Sequence, residues 1–171
     1  FEQALRQRIA LVKGLPLETM QKVGAQLCLQ DGVAEFIDFS RQLGVPAYLV
    51  SGGFHELADP LARQLRIEGV GANRLGHDGH ALDGTLQGPI IDARAKLDFA
   101  QEICRRQGWA LGDCVAVGDG ANDLEILNAV GLGVGFLPKP VLRSTIGAQI
   151  SSGDHRFLAP LLFGRQIVDQ R

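Results

Sequence analysis

The sequence has little cysteine and no long hydrophobic run, and charge of neither sign dominates. Its three cysteines among 171 residues are Cys28, Cys104 and Cys114. They are odd in number, widely spaced and form no CxxC pair, so they predict reduced, mostly buried thiols in a cytoplasmic protein.

The charge balance also excludes some partners. Seventeen basic residues stand against nineteen acidic ones, which gives a formal net charge of -2. Binding to nucleic acid depends on a basic face, so no nucleic-acid partner is expected. No stretch approaches the eighteen or more apolar residues of a membrane-spanning helix, so no membrane segment is expected. The segment FEQALRQRIA is amphipathic and charged, unlike a secretory signal.

Glycine, in contrast, is abundant, with 22 residues. That is nearly twice the usual ~7%. Most glycines fall between apolar runs, where they permit tight turns between strands and helices. One such segment carries His77 and His80 on either side of Asp78-Gly79. A solvated hairpin is favoured there over a zinc site, because the segment is not a helix face.

Short apolar runs alternate with segments of helical periodicity. Helices are predicted over 1–13, 17–25, 33–43 (capped by Asp31), 54–65, 92–107 and 122–129, and buried strands over 47–50, 114–117, 132–136 and 148–150, with a hairpin within 69–88. This alternation predicts an α/β fold with a parallel sheet covered by helices on both faces. Ligands bind such sheets beyond the carboxyl ends of the strands, which directs attention to Ser51 and Asp119.

The segment VSGGF has two interpretations. Ser51 follows an apolar strand, and Gly52 and Gly53 let the backbone turn and present N–H groups at the start of a helix. A hydroxyl, backbone donors and a helix dipole together form an anion site. An ordinary turn with Ser51 as helix N-cap explains the same residues, and they alone do not decide between the two.

The segment VGDGANDL favours a metal site. Asp119 and Asp123 lie four residues apart with Asn122 between them, and two neighbouring carboxylates repel unless a cation or proton offsets them. Carboxylate oxygens suit Mg²⁺, which takes one or two of them and keeps several waters. A capped helix start needs only one such residue. With Ser51 and with Lys96, one turn into its helix, they form a set able to hold a phosphoryl group.

Several segments together resemble the phosphoserine phosphatases of the haloacid dehalogenase superfamily. These are FEQALRQRIALVKGLP, LVSGGF, ANRL, DARAK, AVGDGANDL and GLGVGFLPKP, in this order. The resemblance implies a Rossmann-like α/β core over residues 28–171 and the C-terminal part of a small helical cap over 1–27. Pro138 departs from the alanine more usual in the family, with no effect expected on the chemistry.

The resemblance also implies the chemistry: Mg²⁺-dependent hydrolysis of O-phosphoserine through an aspartyl-phosphate. Asp119 would coordinate Mg²⁺ and Asp123 would support the metal site. Ser51 and the Gly52 amide would bind phosphate oxygens, while Lys96 would neutralise the phosphoryl group and Asn122 would orient it. We expect Ser51, Lys96, Asp119 and Asn122 to lie close together beyond the carboxyl ends of the parallel strands.

The cap segment would select the substrate. Phe1 and Arg8 are seven residues apart and share one helix face. The family resemblance gives Arg8 the substrate carboxylate, which its guanidinium fork suits, and gives Phe1 a part in closing the pocket.

The family's first motif, Asp-x-Asp-x-Thr or Val, does not occur in the sequence. In the similar segment Leu82–Leu86, Ala81 stands at the nucleophile position. We therefore expect this chain to be the C-terminal part of a longer protein whose nucleophile and general acid/base lie upstream. Alone it should lack a central strand, which would leave neighbouring strands open, and should be inactive. Two alternatives stand beside hydrolysis: phosphoryl transfer to another alcohol such as homoserine, and a non-catalytic fragment that binds a phosphorylated ligand.

Overall fold

The computed structural model describes residues 2–162, which fall into two compact units, residues 2–28 with 47–95 and residues 29–46 with 96–162. The helices are α1 (Glu2–Ala10), α2 (Leu17–Ala25), α3 (Val33–Gln42), α4 (His55–Leu65), α5 (Ala93–Gln107), α6 (Leu124–Ala129) and α7 (Pro140–Arg143). The strands are β1 (Tyr48–Phe54), β2 (Gly69–His77), β3 (Leu82–Gln87), β4 (Val115–Gly118), β5 (Leu132–Phe136) and β6 (Ala148–Ile150).

The first unit is built on a three-stranded sheet of order β1-β2-β3. Strand β1 pairs with β2 in parallel, and β2 pairs with β3 as an antiparallel hairpin. Helix α1 places Leu5 and Ile9, one turn apart, against Leu75 and Leu82 of the hairpin. The spacing of these two residues puts them on one helix face, so burial of that face attaches α1 to the sheet.

The second unit contains a fully parallel sheet of order β4-β5-β6. Val134 and Phe136 of β5 pack with Ile150 and Leu158 on one side, and Phe36 of α3 covers this cluster. A second cluster of Leu127, Leu142 and Ile146 packs beside Ala116 and Leu124. Helices thus cover this parallel sheet, and the predicted α/β fold is confirmed.

Two local predictions are wrong. The segment Ser51-Gly52-Gly53 does not end its strand, because β1 continues to Phe54 with an irregular register between Val50 and Phe54. Asp31 does not cap α3: the N-cap is Gly32, with a φ of 76°. The Asp31 carbonyl instead accepts the backbone N–H of His155 at 2.8 Å, which draws Asp31 away from the helix start.

Strand β4 is more open than predicted. Val115 is 45% exposed and Val117 is 40% exposed. Within residues 2–162, β4 pairs only with β5 and forms the end of its sheet, which explains the exposure. The cysteines are also less uniform than expected, since Cys104 is buried, Cys114 half-buried and Cys28 exposed, although all three are free thiols.

Two further expectations concern larger segments. In the part of the chain that the structure describes, no helix has both the length and the apolar character to cross a bilayer. The division into a helical cap over 1–27 and a core over 28–171 stays a prediction.

Candidate functional site

Ser51 lies within β1 of the first unit, next to two glycines. Its Oγ accepts a hydrogen bond from the backbone N–H of Gly53 at 2.9 Å. This bond folds the backbone of the Ser51-Gly52-Gly53 segment around the hydroxyl and uses one of its lone pairs. The Ser51 O–H proton remains as a donor for an anion. The hydroxyl is therefore not the N-cap of α4, a position that Phe54 occupies.

The side chain of Asn73 in β2 holds the Ser51-Gly52-Gly53 segment in place. Asn73 was not identified as a site residue from the sequence. It is 1% exposed. Its Nδ2 donates to the Gly52 carbonyl at 2.9 Å, and its Oδ1 accepts the backbone N–H of Ile91 at 2.9 Å. A buried amide costs free energy unless its polar atoms are paired, and here both are. The sequence signal was a lone polar side chain in the otherwise apolar or glycine-rich start of β2.

In the second unit, Lys96 and Asp123 form a buried ion pair. The Lys96 Nζ lies 2.6 Å from Asp123 Oδ1, and the two side chains are only 6% and 12% exposed. Lys96 is in the first turns of α5, and Asp123 ends the 3-10 turn Ala121–Asp123 that precedes α6. An isolated buried charge is very unfavourable, so each group holds the other in place.

The second oxygen of Asp123 organises the turn after β4. Asp123 Oδ2 accepts the backbone N–H groups of Asp119 at 3.1 Å and of Gly120 at 3.3 Å. Gly118 leaves space for this contact, because a Cβ there would lie 2.6 Å from the Asp123 side chain. Both carboxylate oxygens of Asp123 are thus engaged by protein groups. Asp123 positions its neighbours, and its support of a metal site stays a prediction.

Asp119 has a different environment, because its side chain is 56% exposed and pairs with Lys139. The Lys139 Nζ lies 2.8 Å from Asp119 Oδ2. This hydrogen bond raises the pKa of Lys139. Lys139 follows β5, so the ends of two adjacent parallel strands supply the pair, as expected for such sheets. Asn122 lies exposed in the same turn.

The donor set of this turn fits a hard divalent cation in one respect. Asp119 offers an exposed carboxylate, and Mg²⁺ commonly uses one or two carboxylates and keeps several waters. Within the described residues, no group of three or more His, Cys, Asp or Glu side chains comes together as a metal cluster. The Asp119 carboxylate would therefore supply one ligand of a metal site, and other oxygen atoms would have to supply the rest.

The remaining predicted residues are distributed as follows. Arg8 is exposed on α1, and its Nε donates to the carbonyl of Ala4 at 3.2 Å, so its guanidinium keeps further donors for a ligand. Phe1 lies outside the described residues. Lys96, Asp119, Asn122 and Asp123 come together in the second unit, whereas Ser51, Gly52 and Arg8 belong to the first. Convergence of the two sets stays a prediction.

Comparison with known proteins gives a consistent picture. The model of the haloacid dehalogenase-like hydrolase family matches residues 1–128. The phosphoserine phosphatase of Lactococcus lactis is 35% identical over 170 residues, which cover 99% of this chain and 78% of that protein. The phosphoserine phosphatase of Mycobacterium tuberculosis is 38% identical over 163 residues, covering 95% of this chain. The chain spans only 39% of that mycobacterial relative.

Solved structures agree with the sequence comparison. A substrate-bound complex of a phosphoserine phosphatase superimposes with a TM-score of 0.89 at 33% sequence identity. The match covers 95% of this chain and 77% of that one. The range matched by the family model, residues 1–128, includes Ser51, Lys96 and Asp119.

Proposed function

We propose a function from one premise: the chain belongs to the phosphoserine phosphatase family of haloacid dehalogenase-like hydrolases. The proposed activity of the protein that carries this chain is hydrolysis of O-phosphoserine to serine and inorganic phosphate. The substrate is a small phosphate monoester, as the names of the related phosphatases indicate for those proteins. Such an ester needs a group that holds its phosphate and a group that holds its amino-acid part.

The proposed metal is Mg²⁺, bound through the Asp119 carboxylate. Phosphatases of this family generally use a divalent metal ion. The exposed carboxylate of Asp119 supports the assignment, and Asp123 supports it indirectly by fixing the Asp119 backbone. When bound, a divalent ion supplies positive charge that offsets the charge of a phosphoryl group.

Ser51 and Gly52 of the first unit, and Lys96 and Asn122 of the second, are each proposed to bind the phosphoryl group, as the family resemblance implies. The Ser51 O–H is a donor, and the bond from Asn73 to the Gly52 carbonyl fixes the orientation of the neighbouring peptide groups. Lys96 supplies a positive charge whose position Asp123 sets. Preorganised donors of this kind stabilise developing negative charge without reorganising during the reaction.

The proposed reaction has two steps. An aspartate of the family's first motif, which these residues do not contain, attacks phosphorus while the bond to the serine oxygen breaks and a general acid protonates that oxygen. Water then attacks the aspartyl-phosphate, which releases phosphate and restores the aspartate. The open edge of β4, with Val115 and Val117 exposed, supports the addition of a further strand that carries this nucleophile.

A cytoplasmic location is part of the proposal. The support is the cysteine content of the sequence: three cysteines, widely spaced and without a CxxC pair, are typical of proteins in reducing compartments, where disulfides are rare.

The observation that carries the proposal is the Lys96–Asp123 ion pair. One oxygen of the Asp123 carboxylate contacts Lys96, and the other accepts the backbone N–H of Asp119. The test is release of inorganic phosphate from O-phosphoserine by the full-length protein with Mg²⁺. Asp119→Asn should lower kcat at least about a hundredfold, a typical loss when one charge-stabilising group is removed.

The matched control is Asp38→Asn. Asp38 is 58% exposed and pairs with Arg41 at 2.6 Å, so the change removes a similar exposed carboxylate from a similar ion pair. This variant should keep wild-type turnover. Lack of phosphoserine hydrolysis by the wild-type protein, or equal effects of the two substitutions, would contradict the proposal.

A further inference from the structure

Lys139 has no role in the function proposed above, yet its backbone is fixed beside Asp119. Its N–H donates to the Asp119 carbonyl at 2.8 Å. The preceding residue, Pro138, is fully buried, and its carbonyl accepts a hydrogen bond from Arg143 Nε at 2.8 Å. These bonds hold the Lys139 backbone next to Asp119, which keeps its side chain within reach of the Asp119 carboxylate.

The ion pair of Lys139 differs in kind from that of Lys96. Both ammonium groups contact an aspartate of the same turn, at 2.8 Å for Lys139 and 2.6 Å for Lys96. The side chains of the Lys139–Asp119 pair are 64% and 56% exposed, whereas those of the Lys96–Asp123 pair are almost fully buried. An exposed pair is weak and exchanges with solvent ions, whereas a buried pair does not separate without large cost.

We infer that Lys139 is a competing cation: it neutralises the Asp119 carboxylate in the metal-free protein and leaves it when the divalent metal ion binds. The inference rests on the proposed function, since it takes Asp119 as a metal ligand. Asp119 and Asp123 share one short turn, and their negative charges repel unless each has a counter-charge. Lys96 supplies it permanently for Asp123, and Lys139 supplies it for Asp119 until a metal ion replaces it.

Such competition lowers metal affinity, because the Lys139 ammonium already contacts Oδ2 of the Asp119 carboxylate and its positive charge repels a second cation there. The exposure of Lys139 gives the displaced side chain a path into water, where it recovers its hydration. An uncharged residue of similar length would leave the carboxylate free and bind the metal more tightly. Exposed pairs of this kind are worth little, so the expected gain in affinity is roughly two- to fivefold.

The test measures metal binding by the full-length protein without substrate. Mn²⁺ is titrated and the free ion is counted by its electron paramagnetic resonance signal, and Mg²⁺ is then added as a competitor. Lys139→Met should bind Mn²⁺ roughly two- to fivefold more tightly than the wild-type protein. Lys139→Arg keeps the positive charge and should bind close to wild type, which a purely structural role of the side chain would not predict.

Lys22→Met is the matched control, because Lys22 forms an exposed ion pair with Glu18 at the same 2.8 Å distance. It changes the net charge equally and should leave Mn²⁺ affinity unchanged. If Lys139→Met binds Mn²⁺ no more tightly than the wild-type protein while Asp119→Asn binds it poorly, the inference about Lys139 is wrong and the proposed metal site stands. Wild-type Mn²⁺ binding by Asp119→Asn would overturn both the competition and the proposed metal site.

Discussion

Arg8 owes its proposed role to its chemistry rather than to its place in the packing of α1. Its side chain is exposed and, among the described residues, hydrogen-bonds to the Ala4 carbonyl of its own helix, so its loss should leave the fold intact. In the full-length protein, Arg8→Ala should lower kcat/KM for O-phosphoserine by about ten- to a hundredfold, the value of one charge-assisted hydrogen bond. Turnover of a phosphate ester without a carboxylate should change little.

The adjacent control is Arg6→Ala. Arg6 is also exposed on α1 and pairs with Glu2 at 2.9 Å. This variant should treat both substrates as the wild-type protein does. Equal losses on the two substrates with Arg8→Ala would show that Arg8 does not hold the substrate carboxylate.

The two partners of the buried ion pair should differ in their effect on stability. Asp123→Ala leaves the Lys96 ammonium buried without a partner and also removes the acceptor of two backbone N–H groups. It should lower the free energy of unfolding by about 3–5 kcal/mol. Lys96→Met should cost less, because Asp123 keeps its two N–H donors. Urea unfolding of both variants measures this order, and equal costs would contradict it.

Some single residues could be identified from the sequence and others could not. Asp119 and Asp123 stand out because charged side chains in a glycine-rich turn after an apolar strand are unusual. Lys96 alone is typical of a surface charge and was singled out only together with Ser51 and Asp119 and through the family resemblance. Asn73 and Lys139 become significant only through contacts that cross the sheet, from β2 to the Gly52 carbonyl and from the end of β5 to Asp119. Sequence spacing does not encode which strands are neighbours, so these two partners were not predicted.

At the scale of elements, the bounds of α2, β5 and β6 were predicted correctly, whereas the C-terminal ends of α1 and β1 were not. Leu17–Ala25 of α2 has the predicted bounds, because Pro16 precedes it and its period is clear. Strand β1 extends beyond its apolar run through two glycines, since pairing of Phe54 with Asn73 continues the ladder. The exposure of β4 was missed because a short apolar run predicts burial whether or not a neighbour covers it.

The contact between α3, β5 and the 3-10 turn His155–Phe157 should make stability depend on pH. The His155 ring stacks on Phe136 with the ring centroids 3.8 Å apart, and its buried Nδ1 has no hydrogen-bond partner among residues 2–162. Burial lowers the pKa of His155, against smaller opposing effects of Asp31 and Asp154. Since the unfolded chain then binds this proton at a higher pH than the folded one, stability should fall as pH drops below about 6.5.

The measurement is urea unfolding of the full-length protein at several pH values between 7.5 and 5 (roughly the range in which histidine titrates). His155→Phe keeps an aromatic ring against Phe136 but cannot titrate, so its stability should fall less over this range than that of the wild-type protein. His80→Gln, in an exposed turn, should behave like the wild-type protein. An unchanged pH dependence in His155→Phe would refute the assignment.

At the scale of the whole molecule, the activity should depend on more than these 171 residues. They contain the groups proposed to bind phosphate and metal but no aspartate of the family's first motif. Residues 1–171 expressed alone with Mg²⁺ should therefore release phosphate from O-phosphoserine no faster than the background. Comparable turnover by this chain and by the full-length protein would place the nucleophile within these residues.

The exposed edge of β4 has a further consequence for anyone who purifies this chain alone. Within residues 2–162, the outer edge of β4 has unpaired backbone groups and the strand carries two exposed valines, so this edge is a template for the strand of another molecule. The isolated chain should aggregate as its concentration rises, as light scattering would detect, and Val117→Lys should suppress this by placing a charge on the edge. If the wild-type chain stays monodisperse at high concentration, the predicted pairing of β4 with strands of other molecules is wrong.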